Sequence, residues 1–98
     1  MNYNEKMTEH RRLAILELLA GAYTYTLHEV DLKNALAQRA QAVGTDVLRA
    51  DLAWLNEQGL VRAEQPGGVW MATLTARGGD VRQGLSTVPG VARPEPGR

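Results

Sequence analysis

Leucines recur at helical spacing three times along this chain, and each run stops at a residue or turn suited to ending a helix. Leu13, Leu16 and Ala20 form the first inward stripe, which Ile15, Leu18 and Leu19 widen, while Arg11, Arg12 and Glu17 mark the wet side. The spacing predicts a helix over Thr8 to Ala20, closed by Gly21. A stripe that wide implies packing on two sides, or a dimer contact along one of them. Tyr23 to Leu27 is rich in aromatic and β-branched residues and reads as a very short strand or an extended connector. Thr26 to Glu29 has the form of a capping box, with Thr26 as N-cap and Glu29 at the third position. It opens a second helix to about Ala40, with Leu32 and Leu36 inward and Asp31, Lys33, Gln38 and Arg39 outward. Ala42 to Thr45 predicts a tight turn in which Gly44 can accept positive φ and Thr45 can cap a third helix. That helix runs from Asp46 to about Gln58, with Leu48, Leu52 and Leu55 inward, and stops at Gly59.

Beyond Gly59 the period changes from helical to alternating. Leu60 to Glu64 and Val69 to Leu74 flank the turn Gln65-Pro66-Gly67-Gly68, a hairpin signal. Thr75 to about Leu85 predicts a last, weak helix, softened by Gly78 and Gly79. Ser86 to Arg98 is interrupted by Pro89, Pro94 and Pro96 and reads as a tail. The expected division is one domain over residues 1–85 and a Pro/Gly-rich tail over 86–98. The order helix, helix, short turn, helix, hairpin, weak helix predicts an α+β, mainly helical fold: a winged helix-turn-helix with a short two-stranded wing. A generic α+β domain is the alternative.

The residues from Val47 to Glu64 are similar to the recognition helix and following strand of bacterial winged-helix regulators of the MarR, ArsR, PadR and DeoR groups. Leu74-Thr75-Ala76-Arg77-Gly78 resembles the segment that leads those folds from the wing into the C-terminal helix. Trp54 to Val61, Val69 to Val81 and Val88 to Pro96 also resemble small ArsR-like proteins of Mu-like phages and prophages. That resemblance implies a phage or prophage origin and leaves the activity open.

Composition narrows the chemistry. The 98 residues contain no cysteine, which rules out disulfides, thiolate metal sites of the ArsR kind and cysteine nucleophiles. His10 and His28 have no neighbouring ligand set, and no phosphate-binding loop, dinucleotide fingerprint or Ser-His-Asp arrangement is present. No cofactor, no metal and no enzymatic activity are expected. No signal peptide or membrane span is expected either, so a soluble cytoplasmic protein without membrane partners is the default.

The third helix is the candidate for entering a DNA major groove. Arg49 could grip a guanine edge and Thr45 a phosphate, Arg62 on the hairpin could add another contact, and Arg11 and Arg12 are further phosphate candidates. Charge works against this site. Eleven basic residues balance eleven acidic ones, and from Thr45 to Gln58 Arg49 stands alone against Asp46, Asp51 and Glu57. A protein that binds phosphates usually shows a basic face. Asp51 is harmless if it pairs with Arg49 or a neighbouring helix, and Asp46 suits the positive end of its helix. Trp54 and Trp70 fit core or interface packing better than base stacking. The leading expectation is a homodimeric phage protein that binds double-stranded DNA as a transcriptional regulator or accessory factor. The rival is a winged-helix module that binds a phage or host protein in packaging or assembly, with no DNA role of its own.

Overall fold

The first helix starts five residues before the periodicity announces it. In the computed structural model, which describes residues 2–95, α1 runs over Tyr3–Ala20, and the Asn2 side chain caps it by accepting from the Glu5 amide at 2.8 Å. Tyr3 and Met7 point outward, so this extra turn adds nothing to the apolar stripe. The stripe itself is consumed inside the chain. Leu13, Ala14, Ile15, Leu16 and Leu19 are all buried, and α1 packs against both the second and the fourth helix. The width of the stripe thus reflects two-sided packing.

After α1 come a short 3-10 turn, Tyr23–Tyr25, and strand β1, Thr26–His28. Helix α2 covers Glu29–Gln38 and α3 covers Thr45–Glu57. Strands β2, Val61–Glu64, and β3, Met71–Leu74, form the hairpin, and α4 spans Ala76–Gln83. The sheet is antiparallel with order β1-β3-β2, pairing Thr26 with Thr73 and Ala63 with Ala72. The fold is α+β, mainly helical, and this arrangement is compatible with a winged helix. Two local expectations, both of helix caps, fail here. Thr26 does not cap α2: its hydroxyl lies 2.9 Å from that of Thr73 across the sheet. His28 caps the helix, its Nδ1 accepting from the Val30 amide at 3.2 Å. Nor does Thr45 cap α3. Gly44 is the N-cap, at φ −73° and so without using the positive φ open to a glycine, and Thr45 is the first helical residue.

Leu32, Leu36, Leu48, Leu52, Leu55, Leu60 and Ala72 complete the core with α1. Each fully buried leucine contributes about 1.5–3 kcal/mol relative to exposure. Gly78 is fixed by close approach: a Cβ there would run into the Leu60 carbonyl oxygen and the Leu74 side chain. The expected weak helix therefore forms where only glycine fits, with Thr75 capping it by accepting from the Gly78 amide.

Residues 86–95 are irregular, and they lie on the domain. Val88 and Val91 are buried with the core, and the Ala92 amide donates to the Glu9 carbonyl at 3.1 Å. Val88-Pro89-Gly90-Val91 is a type II turn: proline second, glycine third at φ 101°, and a Val91 to Val88 hydrogen bond of 3.1 Å. Residues 96–98 lie outside the described residues. Among the described residues no helix is long and apolar enough to cross a membrane.

Candidate nucleic-acid or protein interface

Helices α2 and α3, joined by the loop of residues 39–44, are the pair in which the sequence predicts a helix-turn-helix, and their arrangement is compatible with one. Leu32 and Leu36 of α2 and Leu48, Leu52 and Leu55 of α3 are buried together, which turns the intervening positions outward. Thr45 sits at the start of α3, and its hydroxyl accepts from Lys33 Nζ at 3.1 Å. One turn later Arg49 forms a fork with Glu29, the first residue of α2. Its Nε donates to Oε2 at 2.8 Å and its Nη2 to Oε1 at 2.6 Å. Glu29 is only 8% exposed, and its amide donates to the Trp70 carbonyl at 2.9 Å. The Arg49 hydrogen bonds hold the Glu29 carboxyl below the usual carboxylate range against the opposing effect of burial. Glu29 in turn raises Arg49. Both third-helix candidates are thus tied back to α2.

Val30, Asp31 and Asn34 of α2 and Asp46, Val47 and Ala50 of α3 are exposed on these helices. Val30 and Val47 are large apolar side chains open to water, at 52% and 43% exposure. The ionised groups that α2 and α3 leave exposed are Asp31, Asp46 and Glu57, with Lys33 and Arg49 partly buried on the same helices. This surface is apolar and acidic.

Arg11 and Arg12 belong to a different place. Both reach from α1 to Asp51, which is 2% exposed on the other side of α3. Arg11 Nε donates to Oδ2 and Arg12 Nε to Oδ1, the latter at 3.1 Å. The Arg12 guanidinium also lies 4.0 Å from the centre of the Trp54 ring and donates to the Gly90 carbonyl at 3.3 Å. Asp51, the acid counted against DNA binding, is therefore paired with a neighbouring helix and not with Arg49. Arg62 stands on the hairpin, two-thirds exposed, 3.1 Å from Glu64 on the same face of its strand. The turn at its tip, Pro66–Gly68, carries no charge. Of the five residues expected to meet DNA, Thr45 and Arg49 stand together, Arg62 stands apart on the hairpin, and Arg11 and Arg12 point into the interior.

Sequence reasoning missed the partners Glu29, Trp54 and Gly90. The signal for Asp51 was present: it follows Leu48 by three residues and so falls on the buried stripe of α3. Among the described residues no cluster of three or more His, Asp or Glu side chains is placed to hold a metal.

No protein-family profile matches the chain, and no solved structure matches it. An uncharacterized protein of Haemophilus influenzae is 32% identical over 78 residues, covering 79% of this chain and 76% of that protein. The uncharacterized protein gp26 of Escherichia phage Mu is 41% identical over 93 residues, covering 95% of this chain and 96% of its own length. These similarities support a phage origin, and the chain belongs to the family of the phage Mu protein gp26.

Proposed function

We propose that this phage-family protein is a winged-helix interaction module that docks a protein partner, in packaging or assembly, through the outward face of α2 and α3. One observation carries the reading. The arginine that would meet DNA from α3 is held by a carboxylate of the fold, and the acids that α2 and α3 leave exposed make no salt bridge among the described residues, Asp46 acting on Arg49 only through its charge. Carboxylates facing phosphates repel them, whereas Val30 and Val47 offer apolar area to a protein surface. The test is fluorescence anisotropy with random-sequence duplex DNA from low to physiological salt. The expected result is no binding at low salt, with binding appearing once Asp31→Asn and Asp46→Asn are combined. Binding by the unmodified protein that weakens steeply with salt would overturn the reading.

The second reading is a DNA-binding regulator or accessory factor, and the exposed Arg62 on the hairpin favours it. Thr45 and Arg49 would then contact DNA from α3 and Arg62 from the hairpin. Under that reading, Arg49→Ala lowers affinity for a cognate site while the protein stays folded.

A further inference from the structure

The fold engages six of the eight arginines among the described residues. Arg11 and Arg12 bind Asp51, Arg39 binds Glu17, Arg49 binds Glu29, Arg62 binds Glu64, and Arg77 donates to the Gln58 carbonyl. Among the described residues that leaves Arg82, in the last turn of α4, and Arg93, in the segment that follows. Both line the same groove, between α1, the end of α2, α4 and residues 93–95. None of its lining residues comes from α3 or the hairpin, so it is separate from the surface discussed above.

The groove has a volume of about 740 Å³. That size lies within the ~300–1,000 Å³ of small-molecule sites. Leu13 lends an apolar patch, and His10 adds a polar side chain. Two carboxylates also line it. Glu17 is met by Arg39 at 3.1 Å, and Arg39 is anchored further by the Ala14 carbonyl at 3.4 Å. Glu95 is itself engaged. The cationic donors in the groove that these contacts leave over are thus the guanidinium groups of Arg82 and Arg93, whose planar forks match the oxygens of a carboxylate or phosphate.

We infer that this groove binds a small molecule through a carboxylate or phosphate group held by Arg82 and Arg93. The site is independent of what α2 and α3 bind, so either conclusion can fail without the other. The test is an amide NMR titration of the isotope-labelled full chain with inorganic phosphate and, separately, citrate, at constant ionic strength. Saturating amide shifts confined to residues 10–17, 39, 82–84, 93 and 95 are expected with at least one anion. Response to phosphate alone or to citrate alone identifies which chemistry the site takes. Combining Arg82→Gln with Arg93→Gln is expected to weaken binding at least about tenfold, whereas Arg77→Gln leaves it unchanged. The paired Arg→Lys variant, which keeps charge and fold but loses the forks, is expected to bind with intermediate strength. Linear, unsaturating shifts with both anions, or saturation that survives the double glutamine variant, would overturn the inference.

Discussion

Arg49 and Asp51 stand two residues apart on α3, and each belongs to an arginine–carboxylate contact, yet the two contacts have different characters. Two residues on a helix is more than half a turn, so the side chains leave on nearly opposite sides. Asp51 goes inward, where Arg11 and Arg12 converge on it at 11% and 18% side-chain exposure. Arg49 goes outward, and its side chain keeps 38% exposure while gripping Glu29. In the first contact the carboxylate is central and two cations satisfy it, an arrangement that joins α1, α3 and the terminal segment. In the second the carboxylate is the buried partner and the cation reaches it from the surface. One helix thus carries a structural ion cluster on one side and a half-open clamp on the other. Counting its charges from sequence treats the two as equivalent, which they are not.

Removing the inner carboxylate should do the most harm. Asp51→Ala leaves two guanidinium groups stranded among α1, α3 and Trp54, and is expected to cost about 3–5 kcal/mol, read by chemical denaturation. A loss below about 1 kcal/mol would mean that the two arginines find water easily, and the contrast with Arg49 would collapse. Gly90→Ala probes the same cluster from the terminal segment. A Cβ there would meet the Trp54 ring at 2.7 Å, at a backbone φ of 101° that alanine disfavours. The expected loss is about 1–3 kcal/mol.

The outer clamp is sharpened by acidity. Because the folded protein lowers the Glu29 carboxyl, its stabilisation is present above the ordinary carboxylate range and is lost as the pH falls through the lowered folded value. The melting temperature of Glu29→Gln should therefore lie below that of the unmodified protein at neutral pH, with the gap narrowing on acidification. A gap that stays constant with pH would remove the charge from the explanation. The smallest effect belongs to Arg62→Ala. Its partner Glu64 is as exposed as Arg62 itself, and the expected change in stability is within about 0.5 kcal/mol. A larger loss would show that the hairpin does more for the fold than its exposure implies.

What was legible in the sequence follows the range of the interactions. Three helices and the hairpin could be read because leucine spacing, Gly59 and Pro66-Gly67-Gly68 are local signals. The depth of Asp51 could also be read, since it sits on the leucine stripe of α3. Its partners could not: Arg11 and Arg12 lie about forty positions earlier in the chain. The same reason hid the pairing of Thr26 with Thr73, where a local capping pattern competed with a cross-strand bond and lost. It also hid the docking of Val88 and Val91. Nothing near a proline-rich segment says that its valines will complete a core built from α1 and α3.

The stack of Arg12, Trp54 and Gly90 has an optical consequence. A cation over an indole face acts directly on the dipole that changes when the ring is excited, so the colour of Trp54 emission depends on Arg12 remaining in place. Arg12 is steadied there by the carbonyl of Gly90. In a Trp70→Phe background the protein thus carries an intrinsic, single-site dye at the junction of its first helix, third helix and closing turn. Departure of the turn could be followed in real time without attaching a label.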